Sequence, residues 1–264
     1  MKKNLYAFII PLLSAICISF IFSCGKKSDP KPTPPAVDSL KIGLLAYYQF
    51  NNSGADSSGK GNDAYNYHNL TSTDNRFGKP NSAFYFNGTD GYMVIKDNNS
   101  LRLSNTDFTL NVWVEFDSYN NSFGSEILCK RGEGHTNGWN YGITGVEDQI
   151  HGYPIGAPSY QVSGSSDPIA IGINPIGLGH WHMLTTVYSL TNQTISYYED
   201  GVFQNTLGNI PSPNPSTAAD LYIGQDSQGS GATAYYLQGK LDDIRIYNRA
   251  ISVSEIQKLF SLTH

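Results

Sequence analysis

The protein has 264 residues and a formal net charge of −5, with 17 lysine and arginine residues scattered along the chain. This charge excludes the basic surface that binds nucleic acid, and an aromatic content of 12% excludes a disordered polymer. Charged residues make up only 15% of the chain, whereas glycine occurs 26 times and tyrosine 18 times. This balance argues against helical bundles and favours short strands joined by turns.

The first 23 residues have the pattern of a targeting segment. Lys2 and Lys3 precede an uncharged, apolar run that stops at Ser23 and Cys24. This arrangement resembles the signal of bacterial lipoproteins, in which the cysteine is acylated and becomes the first mature residue. The resemblance implies lipidation of Cys24 and a lipid-anchored location in the cell envelope, at the outer membrane, on its periplasmic or extracellular face. A membrane-spanning anchor and an ordinary secretory signal peptide remain alternatives.

Residues 24–40 are expected to be a tether, because their prolines favour an extended and semi-rigid chain. The folded domain is expected to span residues 41–264, a length that suits one all-β domain. Cys129 is the only cysteine of that domain, which excludes an internal disulfide. We interpret Cys129 as a buried apolar side chain; a nucleophile is the alternative. The prolines of the tether are Pro30, Pro32, Pro34 and Pro35.

Alternating and apolar runs between turn residues predict a series of strands. The clearest alternation places Phe108, Leu110 and Val112 on one face and Trp113 on the other. Residues 151–179 contain no clear strand and are expected to be loop. The predicted strands are Leu44–Phe50, Ser82–Asn87, Tyr92–Lys96, Phe108–Phe116, Ile127–Lys130, Trp139–Val146, Trp181–Ser189, Leu221–Gly224 and Lys240–Tyr247.

Two local motifs complete the pattern. Asp200 and Gly201 lie between two further runs and predict a hairpin turn with positive φ. Ser252 and Glu255 form a capping box that predicts a short C-terminal helix. Regular short strands with turn signals then predict an all-β, two-sheet antiparallel sandwich with a short C-terminal helix.

An ordered set of segments, from about Leu44 to Phe260, resembles the laminin-G-like domains of bacterial surface proteins. The resemblance implies a jelly roll within the concanavalin A-like lectin/glucanase fold. This fold hosts lectins, adhesion modules and glycosidases, so it does not indicate the ligand. The segments that carry the resemblance are Leu45–Asn51, Asp56–Asn62, Arg76–Gly88, Phe108–Trp113, Trp181–His182, Tyr198–Gly201, Leu221–Gly224 and Gly239–Ser252.

A structural calcium ion is the sharpest chemical prediction. The segment from Asp56 to Asn62 offers side-chain oxygens, together with glycines that let backbone carbonyls converge. Strand alternation places Asp242 on the same face as Ile244, and a buried carboxylate is costly unless it is paired or bound to a metal. In the family the first and last strands pair, and a structural calcium can lie near them. We therefore expect Asp56, Asn62, Asp242 and Asp243 to bind Ca²⁺. An Asx turn at the first segment and hydrogen bonds from backbone amides to Asp242 are the alternatives.

The sequence offers no complete catalytic motif. Glucanases of this fold resemble one another in a Glu-x-Asp-x-x-Glu strand, and the nearest match begins at Glu115. Asn120 replaces its last carboxylate, so a two-carboxylate mechanism lacks a partner. His180 and His182 place two imidazoles at a spacing that suits zinc, but the sequence shows no third ligand. We therefore expect no enzymatic activity and assign no catalytic residue.

Aromatic residues are the candidate sugar-binding residues, because they stack on sugar rings. Trp113 lies off the aliphatic face of its strand, and the other candidates lie in a region rich in glycine and proline. An alternative is that these rings cover sheet edges or fill apolar clusters. The candidates are Trp113, Trp139, Tyr141, Tyr153 and Tyr160.

The expected function is a lipid-anchored, non-catalytic binding module of the cell envelope. Its expected partner is a glycan or a surface protein, it contacts the membrane only through the lipid, and it does not bind nucleic acid. A degenerate or cryptic glycoside hydrolase is one alternative. A structural or adhesion component of a surface assembly is another.

Overall fold

The computed structural model describes four stretches of the chain, residues 38–132, 137–163, 169–227 and 234–263. A compact unit runs from Val37 to His264. The targeting segment, Cys24 and most of the predicted tether lie outside the described residues. Ser39–Lys41 form a 3-10 turn in which Leu40 is buried, so the last residues assigned to the tether pack with the folded unit. Among the described residues, no helix has the length and apolar character needed to cross a bilayer.

The described residues form two antiparallel sheets and one α-helix, α1 (Val253–Phe260). In chain order the strands are β1 (Leu44–Tyr48), β2 (Ala64–His68), β3 (Thr71–Thr73), β4 (Ala83–Asn87), β5 (Tyr92–Ile95), β6 (Phe108–Phe116), β7 (Ser125–Arg131), β8 (Gly138–Ile143), β9 (Pro158–Ser163), β10 (Ile169–Ile171), β11 (Trp181–Ser189), β12 (Thr194–Glu199), β13 (Val202–Leu207), β14 (Leu221–Ile223) and β15 (Gln238–Tyr247). The eight-stranded sheet has the order β13-β12-β11-β6-β15-β4-β3, with β1 paired to the C-terminal half of β15. The seven-stranded sheet has the order β10-β9-β8-β7-β14-β5-β2.

The apolar core lies between the two sheets and draws on both of them. From the eight-stranded sheet, alternate residues of β6 such as Phe108 and Val112 are fully buried in it. From the seven-stranded sheet, Trp139 and Tyr160 are fully buried and their rings stack with centroids 6.4 Å apart. Two sheets that each present an apolar face bury more surface together than either buries alone, which explains the sandwich.

The helix α1 covers part of the outer face of the eight-stranded sheet. Ser252 caps the helix and Glu255 completes the capping box, as the sequence predicts. Ile256 and Leu259 belong to a second apolar cluster that includes Trp113 of β6. The helix therefore covers Trp113 and its neighbours on the outer face of the eight-stranded sheet.

The fold prediction is confirmed, including the sandwich and the C-terminal helix. The limits of β6, β11 and α1 match those expected from the sequence. The prediction of a loop over 151–179 is wrong, because β9 and β10 lie within that stretch. Pro158 begins β9 and a glycine-rich segment surrounds these strands, so local turn signals conceal them.

Candidate functional site

A polar cleft lies on the outer face of the seven-stranded sheet, with a volume of about 160 Å³. Glu126 and Arg131 of β7, Asn140 of β8 and Gln161 of β9 line it. Each comes from a strand whose other residues enter the core. This outer face therefore presents a set of hydrogen-bonding side chains where three neighbouring strands run together.

Strand alternation explains why these side chains share a face. Trp139 and Tyr141 point into the core, so Asn140 between them points outward. Tyr160 and Val162 do the same for Gln161. The register pairs Asn140 with Gln161 directly across two strands. The sequence signal for this site is a polar residue between two core residues, as in Trp139-Asn140-Tyr141 and Tyr160-Gln161-Val162.

Arg131 is the electrostatic centre of the cleft. Its guanidinium donates to Asp226 in the loop after β14, and to Gln161 Oε1 at 3.3 Å. Glu126 Oε1 lies 3.6 Å from Arg131 Nη2 and accepts a hydrogen bond of 2.7 Å from Asn140 Nδ2. Arg131 thus holds the Asp226 carboxylate, the Glu126 carboxyl group and the Gln161 amide in a single network.

The surroundings of Glu126 favour the protonated form of its carboxyl group. Burial raises the pKa of Glu126 to about 8, although the nearby Arg131 guanidinium opposes this rise. Its Oε2 atom has no hydrogen-bond partner among the described residues. A protonated carboxyl donates as well as accepts, so Glu126 can bond a hydroxyl group in either direction.

A row of three rings leads away from the cleft. Phe123 lines the cleft and is 41% exposed. Its ring centroid lies 5.9 Å from that of His151, which lies 6.4 Å from that of Tyr153. Tyr153 is half-buried, so its ring retains an accessible face. Exposed rings beside a polar cleft form an arrangement that suits amphipathic ligands.

Four of the five predicted sugar-binding aromatics are buried, and the prediction is wrong for them. Trp139, Tyr141 and Tyr160 are 0% exposed and belong to the core. Trp113 is 7% exposed, and its ring stacks on Phe260 of α1 at 5.6 Å. A segment rich in glycine and proline offers Trp139, Tyr141 and Tyr160 few apolar neighbours in sequence, but the opposite sheet supplies those neighbours in space. Tyr153 alone of the five keeps an accessible ring.

Asp56 and Asn62 organise the loop between β1 and β2. Asp56 Oδ1 accepts from the backbone N–H groups of Tyr47 (2.9 Å) and Ser58 (2.8 Å), and Oδ2 accepts from Asn62 N (3.0 Å). Asn62 is 2% exposed, donates to Leu45 O at 2.8 Å and accepts from the Asn98 side chain. These contacts correspond to the Asx-turn alternative.

Asp242 and Asp243 pair with arginine. Arg76 Nη1 lies 2.7 Å from Asp242 Oδ2, and Arg76 Nη2 lies 2.7 Å from Asp243 Oδ2. Arg245 adds a contact of 3.6 Å to Asp243. The side chains of Arg76, Asp242 and Asp243 are each 3 to 4% exposed. Burial, opposed by the arginines, still raises the pKa of Asp242 to about 7.

The predicted orientation of Asp242 is wrong because a β-bulge interrupts β15. The register with β6 shifts between Asp242 and Arg245, and Asp243 has a φ of 47°. The extra residue ends the strict alternation that the sequence prediction assumed. Asp242 therefore pairs with Trp113 on the outer face, while Ile244 remains in the core.

The four predicted calcium ligands do not form one set. Asp56 and Asn62 bind the loop backbone, whereas Asp242 and Asp243 bind Arg76. Among the described residues, none of these three carboxylates belongs to a group of three or more His, Cys, Asp or Glu ligand atoms within 4.8 Å of one another. This donor arrangement does not fit a calcium site, and calcium binding stays a prediction without support from these contacts.

Two further residues from the sequence analysis have clear surroundings. Glu115 Oε1 lies 2.7 Å from Lys240 Nζ on the neighbouring strand β15. Both residues are in the eight-stranded sheet, whereas the cleft strands are in the seven-stranded sheet. Cys129 is fully buried, and burial raises the pKa of its thiol to about 12. A thiol of this kind is inert, which agrees with the interpretation of Cys129 as a packing residue.

A family model, Laminin_G_3 of the concanavalin A-like lectin/glucanases superfamily, matches residues 87–257. The chain belongs to this family. No curated protein matches the chain in sequence. The match covers every strand that contributes to the cleft.

Solved structures share the fold at low sequence identity. The binding domain of Paraclostridial Mosquitocidal Protein 1 superposes with a TM-score of 0.64 and 17% identity, over 84% of this chain and 52% of that one. Domain 4 of AbnA, a GH43 extracellular arabinanase from Geobacillus stearothermophilus solved with arabinotriose, gives 0.58 and 22%, over 83% and 98%. A structure of botulinum neurotoxin type C, described in terms of cell entry through two ganglioside molecules, gives 0.63 and 13%, over 85% and 52%. The chain thus spans about half the length of the toxin chains and nearly all of the arabinanase domain. These similarities show the fold alone.

Proposed function

We propose that the protein is a lipid-anchored, non-catalytic module of the cell envelope that binds a carbohydrate in the cleft on the seven-stranded sheet. The observation that carries this proposal is the juxtaposition of a polar cleft with the row of exposed rings from Phe123 to Tyr153. The arabinanase domain solved with arabinotriose and the ganglioside-dependent toxin lend support, because both share the fold.

The chemistry of the cleft suits a sugar. Asn140 and Gln161 each carry an amide that donates and accepts, and the protonated Glu126 does the same. A sugar hydroxyl needs both roles, since it is itself a donor and an acceptor. Rings such as Tyr153 offer an apolar face to the C–H side of a sugar, which a purely polar cleft lacks.

The carboxylates around the cleft support binding rather than hydrolysis. A retaining glycosidase needs an acid and an accessible nucleophile about 5 Å apart. Asp226 is 0% exposed and ion-paired with Arg131. Asp148 accepts a hydrogen bond of 2.7 Å from Gly145 N, which orients it toward its own loop. Glu126 could thus act as an acid, but the neighbouring carboxylates of Asp226 and Asp148 bind other groups, which leaves no nucleophile among the described residues of the cleft.

A glycan array followed by calorimetric titration tests the proposal. We expect binding to at least one oligosaccharide, a loss of about tenfold or more in Asn140→Ala and Tyr153→Ala, and little change in Tyr65→Ala. Tyr65 is a matched control because its ring is 50% exposed on β2, at the far end of the same sheet. Release of reducing ends would favour the glycosidase alternative. Silence on the array, with capture of a surface protein instead, would favour the adhesion alternative.

The lipid anchor rests on the sequence around Cys24 and has its own test. Cells that express the protein are labelled with a palmitate analogue and then separated into membrane and soluble fractions. We expect label and membrane association in the natural protein and in Cys17→Ser, and loss of both in Cys24→Ser. Equal labelling of the two variants would refute acylation at Cys24.

A further inference from the structure

Three metal-binding side chains meet beside the turn that joins β12 to β13. His182 Nδ1 lies 3.1 Å from Glu199 Oε1 and 3.1 Å from Asp200 Oδ2. Among the described residues, these three form the one group of such side chains whose ligand atoms all lie within 4.8 Å of one another. The group lies in the eight-stranded sheet and is separate from the carbohydrate cleft proposed above.

The backbone places the three residues together. The register pairs Leu184 with Glu199, so the turn residue Asp200 lies opposite Met183, and His182 directly precedes Met183 on β11. Asp200 (φ 51°) and Gly201 (φ 79°) both adopt the left-handed conformation of a tight hairpin turn. Asp200 N donates to Met183 O at 2.9 Å, and Asp200 Oδ1 accepts from Met183 N at 2.8 Å. One carboxylate oxygen is thus fixed to β11, which aims the other oxygen at the imidazole.

We propose that His182, Glu199 and Asp200 form a binding site for a divalent transition-metal ion of the zinc class. The ligand atoms are His182 Nδ1, Glu199 Oε1 and Asp200 Oδ2. The sequence analysis noted His182 as a zinc candidate and found no third ligand, because Glu199 and Asp200 become neighbours only through strand pairing.

The spacing of the ligand atoms fits this class of ion. Zinc binds histidine nitrogen and carboxylate oxygen at about 2.0 to 2.2 Å, so tetrahedral ligand atoms lie about 3.4 Å apart. The two separations of 3.1 Å from His182 Nδ1 are within a few tenths of an ångström of that value. The two carboxylate oxygens lie within 4.8 Å of each other, so small side-chain adjustments can bring all three ligand atoms around one ion.

Burial and charge favour an ion at this place. The side chains of His182, Glu199 and Asp200 are 18%, 19% and 34% exposed, so they are sheltered but one side stays open. A metal ion binds the deprotonated, neutral imidazole, and with it the two carboxylates carry a charge of −2, which a divalent cation balances. The open side leaves room for water as a further ligand, as in zinc sites with three protein ligands.

The ligand types distinguish this site from a calcium site. Calcium and magnesium prefer oxygen ligands, whereas imidazole selects zinc, copper, nickel and related ions. His182 Nε2 has no hydrogen-bond partner among the described residues. It faces Gly177 so closely that a Cβ atom at that position would lie 3.2 Å from it. The Nδ1 side of the ring is thus the side available to a metal. A bound ion would tie β11 to the β12–β13 turn.

Isothermal titration of the untagged protein with zinc chloride tests the proposal, with calcium chloride as the comparison. We expect one zinc ion per chain, no comparable signal with calcium, and a melting temperature that rises with zinc concentration. The variants His182→Gln and Asp200→Asn should each bind zinc at least tenfold more weakly. Asp200→Asn keeps an oxygen for Met183 N and tolerates the left-handed φ, so its fold should survive. The matched control is His68→Gln, which removes an imidazole from β2.

Cobalt(II) provides a second readout, because imidazole and carboxylate ligation gives it visible absorption. We expect this absorption in the natural protein and in His68→Gln, and its loss in His182→Gln. Absence of a zinc signal in the natural protein would overturn the proposal. Equal zinc affinity in His182→Gln and the natural protein would overturn it as well. Both results would leave the carbohydrate cleft untouched, because the two sites share no residue.

Discussion

Replacement of Arg76 by methionine should destabilise the protein more than replacement of Lys240, a more exposed cation on β15. The Arg76 guanidinium bridges Asp242 and Asp243 at 2.7 Å each, and all three side chains are 3 to 4% exposed. Arg76→Met fills a similar volume but leaves two buried carboxylates with Arg245 as their nearest remaining cation, 3.6 Å from Asp243. The variant thus tests whether arginine, and not a metal ion, balances this pair.

The magnitude follows from burial. Breaking a buried ion pair by removing one partner costs about 3 to 5 kcal/mol. The guanidinium also lies 4.4 Å from the Trp113 ring centroid, a cation–π contact worth about 1 kcal/mol. Arg245 compensates part of the loss, so we expect a decrease of about 4 kcal/mol in the free energy of unfolding. Lys240→Met is the matched control, since the Lys240 and Glu115 side chains are 29% and 15% exposed and such a pair is worth about 1 kcal/mol or less.

The pH dependence separates lost charge balance from lost packing. Asp242 has a folded pKa of about 7, above its ordinary value of 3.8, so the folded state holds this proton more tightly than the unfolded state. The stability linked to Asp242 is complete below pH 3.8 and falls as the pH rises through 7. Without Arg76 the charged form is less favourable still. The difference between Arg76→Met and the natural protein should therefore be larger at pH 8 than at pH 5.

Urea denaturation followed by tryptophan fluorescence at pH 5 and pH 8 measures these differences. Adding Asp242→Asn to Arg76→Met should recover more than 1 kcal/mol at pH 8, because it removes one uncompensated charge. A loss below 1 kcal/mol at both pH values would refute the reasoning. A loss that is large but equal at both pH values would show that packing, and not charge balance, is what Arg76 contributes.

Three further predictions follow from the other sites. Glu126→Gln keeps an acceptor for Asn140 but removes a group whose folded pKa, about 8, exceeds its ordinary value of 4.5. The natural protein should thus lose stability as the pH rises through 8. Denaturation at pH 6 and pH 9 should show a smaller loss of unfolding free energy in the variant. Equal losses in the two proteins would contradict this. Arg76 balances the carboxylates of Asp242 and Asp243, so chelation of calcium should leave the melting temperature unchanged in calorimetry. A fall of several degrees would support the calcium prediction instead. Trp139→Ala should lower the free energy of unfolding by about 3 to 5 kcal/mol, because the ring lies in the core. Tyr153→Ala should lower it by about 0.5 kcal/mol or less. Equal effects of the two substitutions in thermal unfolding would contradict the placement of these rings.

Several parts of the fold can be read from the sequence because their causes are local. The alternation of β6 requires only that successive side chains point to opposite faces. The cap of α1 depends on Ser252 and Glu255, three residues apart. The turn at Asp200 depends on two adjacent residues that accept positive φ. Each signal lies within a few residues, so a single chain contains all of it.

The polar cleft was not predicted because its residues meet through pairing of β7, β8 and β9 and through the loop that carries Asp226. Sequence alone predicts a strand over Ile127–Lys130, which excludes both Glu126 and Arg131, and it does not show the burial that raises the pKa of Glu126. The same limit explains the aromatic residues. A tryptophan in a glycine-rich segment looks exposed until the opposite sheet covers it.

Sequence therefore determined the class of fold, most strands and the helix, since periodicity and capping act over short distances. The tertiary structure alone decided which polar side chains share a face, because one bulge at Asp243 reverses the expected orientation of Asp242. It also decided which charges pair, as Arg76 and Asp242 are 166 residues apart in the chain and 2.7 Å apart in space. Burial, register and charge balance belong to the assembled sheets, and they set the chemistry of each site.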